Sequence, residues 1–186
     1  MAINSAHAWA IFISGQGSNM SALMDLRDEC PMRLVVVSRP GTYGELRARR
    51  SGIPVKILDK EVNWLELVQE LKNMGVTHIF LAGFMKIIPP EFLKAWGRPI
   101  LNIHPSLLPK YPGLNSIEKA YNDGEAIGVT VHQVTPEVDG GAIVLQQCVY
   151  KPDTLKDYSL DEAEFTVHTA EYQLVRRAMR RASCWT

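Results

Sequence analysis

Asn102 and His104 are polar residues that stand two positions apart in an otherwise apolar stretch of the sequence. If this stretch is a β-strand, both side chains point to the same side of the sheet. An asparagine amide can donate a hydrogen bond to a carbonyl oxygen, and a histidine can donate to a developing oxyanion or move a proton. The pair is therefore a candidate for catalysis, although the pattern alone leaves open a structural role for the histidine.

Asp139 is the best candidate for a carboxylate partner of this histidine, because a carboxylate beside an imidazole stabilises the protonated ring. Gly140 and Gly141 follow it directly, and a glycine-rich turn lets the backbone come close to a neighbouring group. Asp139 is thus a candidate to join Asn102 and His104 in one site.

Two other kinds of chemistry fit the sequence poorly. His78 and His132 could join His104 in a metal site, but no HExxH or comparable spacing supports one. We therefore expect no metal and a structural role for His78 and His132. A serine hydrolase would need a GxSxG motif, which the chain lacks.

The segment SGQGSN, from Ser14 to Asn19, lies between the first predicted strand and the first predicted helix. Doubly wound folds bind phosphate groups at this place, where the helix N-terminus offers free N–H groups. The third glycine of a dinucleotide motif is replaced by Met20, and a Walker GK[ST] is missing. The segment favours a phosphomonoester, although a tight turn with a helix cap explains it equally well.

Apolar strand-like runs alternate with helical patterns in the first half of the chain. This order predicts an α/β fold, an open doubly wound and mostly parallel sheet with helices on both faces. The predicted strands are 9–13, 33–38, 55–58, 77–82 and 99–103, and the predicted helices are 19–29, 43–51, 63–73 and 89–96.

The pattern changes after His104, where prolines make a stiff loop. A short helix is predicted over 116–122 and a long C-terminal helix over 160–182. Residues 128–135 alternate between apolar and polar types, which is typical of a half-exposed strand. Together with a strand over 142–150, they predict an antiparallel extension of the sheet.

Composition excludes several classes of protein. Hydrophobic residues make up 46% of the 186 residues, enough for a packed core. The 20 basic and 20 acidic residues balance, which argues against a nucleic-acid partner. No apolar run is long enough to span a membrane, and Met1 to Ala8 does not resemble a signal peptide. We expect a cytoplasmic protein whose cysteines, Cys30, Cys148 and Cys184, are reduced.

Four motifs together identify a family. They are ISGQGSN from Ile13, LAGFMKI from Leu81, LNIHPSLLPKYPG from Leu101 and VHQVTPEVDGG from Val131. With them the chain, from Ile11 to about Arg177, resembles the folate-dependent formyltransferases. The KYPG segment and the glycine loop favour the glycinamide ribonucleotide transformylases (phosphoribosylglycinamide formyltransferases) within that superfamily.

This resemblance implies an activity and a fold. The enzymes of the family transfer a formyl group from 10-formyltetrahydrofolate, their co-substrate, to the amine of glycinamide ribonucleotide in de novo purine biosynthesis. The implied fold is Rossmann-like, as a single formyltransferase domain over 1–186. Residues 1–103 would form its nucleotide-binding parallel half, and residues 104–186 its folate-binding and catalytic half. The implied partners are small-molecule substrates only, with no nucleic acid and no membrane, and the implied state is a monomer or homodimer.

The resemblance also assigns residues to roles by position. Asn102, His104 and Asp139 would be catalytic. The ribonucleotide would be bound by Gly17, Ser18, Asn19 and Glu171. The folate would be bound by Met85, Lys86, Ile87, Val138 and Lys60.

Some positions depart from the family pattern. Asn115 and Ile117 stand where the family usually has histidines, Lys86 stands where it has an arginine, and His168 stands where it has a glutamine. These changes keep two alternatives open: a related formyltransferase that acts on another amine, and a formyltetrahydrofolate hydrolase. A nucleotide-binding module without activity would have no need of the three catalytic residues. A nicotinamide oxidoreductase would need an acidic residue after the second strand, where Arg39 stands.

Overall fold

The computed structural model describes residues 7–185, which form one seven-stranded sheet with helices on both faces. The strands are β1 (Trp9–Ile13), β2 (Met32–Val37), β3 (Val55–Ile57), β4 (His78–Leu81), β5 (Ile100–His104), β6 (Ile127–Gln133) and β7 (Ile143–Tyr150). The helices are α1 (Ser18–Met24), α2 (Tyr43–Arg50), α3 (Trp64–Asn73), α4 (Pro90–Trp96), α5 (Ser116–Asn122), α6 (Pro152–Leu155) and α7 (Leu160–Ala182).

The strand order is β3-β2-β1-β4-β5-β6-β7. Strands β1 to β5 are parallel, and β6 and β7 are antiparallel additions to the edge formed by β5. The chain moves outward from β1 to β3 and then returns to the other side of β1 to begin β4. The predicted doubly wound sheet with an antiparallel extension is confirmed, and it has its topological switch point between β1 and β4.

Alternation along the central strand fills two cores. Trp9, Ile11 and Ile13 of β1 face one core, which is covered by α1, α5 and α7. Ala10 and Phe12 face the other, which is covered by α3 and α4. Because both faces of a parallel sheet are buried in this way, the strand is a continuous apolar run.

The predicted helix over 19–29 is wrong at its C-terminal end, because α1 ends at Met24. Tight turns follow, in which the backbone N–H groups of Glu29 and Cys30 both donate to the Leu26 carbonyl. These turns bury Leu26 and Cys30 while the charged residues between them stay exposed. Residues four apart also share a face of a helix, so their spacing did not distinguish the turns from a helix. Helix α6 was not predicted, since four residues are too short to show a helical period.

The predicted half exposure of the sixth strand is also wrong. β6 is buried on both faces from Ile127 to His132. Its polar face is covered by the proline-rich loop, since Thr130 Oγ1 donates to the Ser106 carbonyl at 2.7 Å and accepts from the Leu108 amide at 3.2 Å. The alternation in the sequence therefore marks a polar internal contact and not solvent.

Helix α7 is long and packs along one face of the sheet. Within residues 7–185 no helix is both long and apolar enough to cross a bilayer. We expect that Met1 to Ala8 is not a signal peptide. Residues 1–6 of this segment lie outside the described part of the chain.

Candidate active site

A cavity of about 690 Å³ opens at the carboxyl ends of β1, β4 and β5. This is the crevice at the switch point, where open α/β sheets bind their ligands. Its walls come from four places: the glycine loop, the loop after β4, the end of β5 with its proline-rich continuation, and the turn before β7. The start of α5 and one face of α7 close the remaining side.

Asn102 and His104 both line this cavity, as their spacing predicted. β5 extends one residue further than expected and includes His104, which pairs with Thr130 of β6. Asn102 pairs with His132 in the same register. The sheet thus fixes the backbone of both residues, so their side chains have few alternative positions.

The His104 ring is buried and has a defined orientation. Its Nε2 lies 2.9 Å from the carbonyl oxygen of Tyr111, which can only accept, so Nε2 carries a proton. Its Nδ1 lies 3.4 Å from Asp139 Oδ2. That separation exceeds the 2.7 to 2.9 Å or so of a charge-assisted bond, so Nδ1 is near the carboxylate without being tightly held.

Asp139 contacts every other polar group of this cluster. Its Oδ2 accepts from the Gly113 amide at 2.8 Å, and its Oδ1 lies 3.4 Å from both Asn102 Nδ2 and His132 Nε2. Burial acts to raise the pKa of the Asp139 carboxyl. The contact with His132, the Gly113 hydrogen bond and the charge available on His104 outweigh that effect and lower the pKa, so the group is a carboxylate at neutral pH.

Backbone packing requires a glycine at Gly141, whereas Gly140 meets only the exposed side chain of Glu137. A Cβ at Gly141 would overlap the carbonyl of Gln133, and one at Gly140 would meet the Glu137 carboxyl at 2.7 Å. Asp139 itself has a left-handed backbone with φ 53°, a conformation that aspartate tolerates better than most residues. The turn therefore places the carboxylate over β5 and β6.

His132 is a site residue that sequence reasoning missed, since we expected a structural histidine. It is 2% exposed and lines the cavity. Its Nδ1 lies 2.8 Å from the Gln133 carbonyl oxygen, and its Nε2 lies 3.0 Å from Asn102 Nδ2 and 3.4 Å from Asp139 Oδ1. The feature that could have indicated this role is the antiparallel pairing of β6 with β5, because it places His132 opposite Asn102.

The glycine loop packs tightly against the start of α2. Gly17 is the residue before α1 and has φ 70°. A Cβ added to it would lie 2.8 Å from Gly44 Cα, and one added to Gly44 would lie 2.7 Å from the Gly15 carbonyl oxygen. This contact fixes the loop, so that Gly17, Ser18 and Asn19 all line the cavity.

Asn19, Glu171 and His168 form a hydrogen-bonded row beside this loop. Asn19 Nδ2 donates to Glu171 Oε2 at 3.1 Å, and His168 Nδ1 lies 2.9 Å from the same oxygen. Glu171 is buried, and these two partners stabilise its charge. Asn19 Oδ1 is also buried and accepts no hydrogen bond from any residue between 7 and 185.

The opposite wall of the cavity is apolar and open to solvent. Met85 and Ile87 are 67% and 75% exposed, and Val138 faces the cavity from the turn that holds Asp139. The Met85 amide donates to Ser14 Oγ at 2.8 Å, which joins this loop to the end of β1. Such exposed apolar groups suit the face of a flat heterocycle.

The predicted folate residues do not all lie here. Lys86 lines the cavity, whereas Lys60 is an exposed residue after β3 that is not among the described cavity residues. Asn115 and Ile117, which depart from the family pattern, also line the cavity. Within residues 7–185 no group of three or more His, Cys, Asp or Glu side chains is arranged to hold a metal ion.

The geometry suits attack on a polarised carbonyl. Asn102 offers an amide and His104 a ring that can carry positive charge, and both face a cavity with one polar end and one apolar wall. A carboxylate beside the histidine stabilises its charged form without a metal.

The comparison with protein-family models decides the family. Residues 8–179 match the model described as formyl transferase. The chain belongs to the formyl transferase family. The predicted family resemblance is thus confirmed over nearly the whole of the described chain.

Proteins similar to this chain match it over most of its length. A phosphoribosylglycinamide formyltransferase of Haemophilus influenzae is 39% identical over 89% of this chain and 82% of its own length. The trifunctional purine biosynthetic protein adenosine-3 of Drosophila melanogaster is 40% identical over 91% of this chain, which spans 13% of that longer protein. The crystal structure of phosphoribosylglycinamide formyltransferase from Streptococcus pneumoniae aligns with a TM-score of 0.84 at 34% identity, covering 94% of this chain and 98% of that one.

Proposed function

We infer that this protein is a phosphoribosylglycinamide formyltransferase, which transfers a formyl group from 10-formyltetrahydrofolate to glycinamide ribonucleotide in purine biosynthesis. Relatives with these names match most of the chain. The observation that carries the conclusion is a single cavity that joins the Asn102, His104 and Asp139 cluster to the glycine loop.

We propose that Asn102 and His104 stabilise the oxyanion of the reaction. Attack of the amine nitrogen on the formyl carbon turns the formyl oxygen into an oxyanion. The Asn102 amide and the protonated His104 ring both line the cavity and can act on that charge. Each well-placed donor of this kind contributes roughly 3 to 4 kcal/mol in acyl-transfer sites.

Asp139 has the role of orienting His104 and of placing a negative charge beside its ring. Its carboxylate lies 3.4 Å from His104 Nδ1, and the Gly113 amide fixes it in place. His132 positions Asn102 by accepting one of its amide hydrogens. The second amide hydrogen of Asn102 points towards Asp139 Oδ1, and this contact, at 3.4 Å, is long enough to be exchanged for one to the oxyanion.

The ribonucleotide is proposed to bind at the polar end of the cavity. The backbone amides at Gly17, Ser18 and Asn19 begin a helix, where N–H groups without helical partners favour a phosphate. The buried Glu171 carboxylate is a hydrogen-bond acceptor at the same end and suits the hydroxyl groups of a ribose.

The folate is proposed to bind along the apolar wall. Met85, Ile87 and Val138 supply apolar contacts. Lys86 supplies positive charge as a point cation without the bidentate geometry of arginine. Lys60 stays a prediction for the acidic tail of the folate, which would have to extend beyond the cavity to reach it.

The proposal extends to the whole chain. The domain is a single unit in which 1–103 serves mainly the nucleotide and 104–186 mainly folate and catalysis, although both halves line the cavity. The substrates are small molecules, and the balanced charge of the chain supports this. We place the enzyme in the cytoplasm as a monomer or homodimer, which sedimentation of the purified protein would distinguish.

One assay tests the function and its alternatives. Purified protein is mixed with 10-formyltetrahydrofolate, with and without glycinamide ribonucleotide, and release of tetrahydrofolate is followed. Release that depends on the ribonucleotide is expected. Release without it would point to a hydrolase, and release only with a different amine would point to a related formyltransferase, the alternative that the Asn115 and Ile117 departures keep open.

A further inference from the structure

His168 is a titratable side chain that the mechanism above does not use. It lies on α7, lines the cavity, and its side chain is 53% exposed. Its Nδ1 is 2.9 Å from Glu171 Oε2, so the ring has one fixed nitrogen and one that remains free for a ligand. The same oxygen, Glu171 Oε2, also accepts a hydrogen bond from Asn19 Nδ2. Glu171 thus links His168 to the glycine loop.

The side chains around His168 are mostly acidic, so its proton matters for the binding of an anion. Three carboxylates face this end of the cavity, Glu164 and Glu171 from α7 and Glu118 from α5. The described lining residues of α1 are neutral, and among those of α1, α5 and α7 only His168 can carry positive charge. Without the His168 proton, a phosphate dianion at the glycine loop would meet no cationic side chain among the described lining residues of these three helices.

We propose that the His168 imidazolium, held by Glu171, is a pH-dependent binding group for the phosphate of the ribonucleotide. This inference rests on the proposed function, because that function places the phosphate at the glycine loop. It assigns His168 a role in nucleotide affinity and none in the chemical step.

The sign of the pH dependence follows from the surroundings. The hydrogen bond to Glu171 raises the pKa of His168 above the ordinary 6.5; burial acts in the opposite direction, and the charges of Glu171 and Glu164 add to the increase. The cation is therefore present below pH 6.5 and is lost as the pH rises through the higher folded-state value. Its loss also leaves Glu171 uncompensated beside the phosphate, so both effects weaken binding at high pH.

The experiment measures the Kd of glycinamide ribonucleotide by titration calorimetry, without folate, from about pH 7 to about pH 9. The phosphate is a dianion over this whole range, since its second pKa is about 6. For the unmodified protein we expect Kd to increase by roughly threefold to tenfold, the effect of one half-exposed charge-assisted contact. His168→Gln should bind with the weaker Kd at every pH, and His168→Arg with the tighter one.

Two controls isolate the phosphate and the side chain. Glycinamide riboside carries the same titrating amine without the phosphate, so its Kd should show no dependence on His168. Thr169→Ala changes the next exposed residue of α7 and should keep the pH dependence of the unmodified protein. Thermal unfolding of each variant checks that it is folded.

Equal pH dependence in the unmodified protein and His168→Gln would overturn the proposal, as would equal dependence for riboside and ribonucleotide. The second comparison needs no variant and stays decisive if His168→Gln does not fold. Because binding is measured without turnover, a protein that binds the ribonucleotide but does not formylate it would contradict the proposed function and leave this inference standing.

Discussion

At the scale of single residues, Asp139 connects the site more than any other side chain. It contacts Asn102, His104, His132 and the Gly113 amide. It supplies both a negative charge beside the His104 ring and the oxygens that contact the neighbouring donors.

Asp139→Asn keeps the shape and removes the charge. We expect kcat to fall by at least about a hundredfold, as for loss of a general acid–base partner, with little change in the KM of either substrate. Steady-state kinetics measure this, with Asp157→Asn, an exposed aspartate before α7, as the control. A rate near that of the unmodified protein would remove Asp139 from the mechanism.

The lowered pKa of Asp139 also predicts a pH dependence of stability. The folded-state pKa lies below the ordinary value of 3.8, so the stabilisation is complete above that value and is lost as the pH falls through the lower one. We expect the difference in unfolding free energy between the unmodified protein and Asp139→Asn to shrink as the pH falls below about pH 4. Urea unfolding at several pH values measures it. A difference that grows on acidification would contradict the assignment.

At the scale of elements, the glycine loop depends on its contact with α2. The Gly44 amide donates to the Gly15 carbonyl at 3.1 Å, and nothing larger than hydrogen fits between the two backbones. The position of the proposed phosphate site is thus set by a helix that does not line the cavity.

Gly44→Ala should move this loop. The new Cβ would lie 2.7 Å from both the Gly15 carbonyl oxygen and Ile13 Cδ1, a separation that backbone must relieve by shifting. We expect the KM of the ribonucleotide to increase by about tenfold, with a smaller change for the folate. Leu46→Ala, on the exposed side of α2, is the control. An unchanged KM would mean that the loop does not need this contact.

At the scale of the whole molecule, α7 holds the antiparallel extension and α1 on one face of the sheet. Its buried stripe includes Val167, Leu174 and Ala178, none of which is measurably exposed. Its polar face supplies His168 and Glu171 to the cavity. The same helix therefore stabilises the fold and completes the site.

Leu174→Ala should destabilise the whole domain by about 2 to 5 kcal/mol, because it leaves a cavity in a packed core. Phe165→Ala, on the same helix but 75% exposed, should change stability by no more than about 0.5 kcal/mol. Urea unfolding followed by circular dichroism compares the two. Equal effects would show that α7 does not pack as described.

The sequence determined the parallel half of the fold and the strongest part of the site. Apolar runs such as Trp9–Ile13 can be recognised as buried strands from the sequence alone, because a strand buried on both faces is apolar at every position. Asn102 and His104 could be paired from spacing alone, since residues two apart in a strand share a face. The family then followed from short motifs around these residues.

The roles of the polar residues of β6 and α7 can be read only from the folded protein. Thr130 and His132 resemble a solvent-facing alternation until the proline-rich loop and Asp139 are folded over them. His168 gains its importance from carboxylates on other turns and on another helix. Hydrogen bonds and charges between segments distant in sequence leave no period in the chain, so they appear only once the segments are packed together.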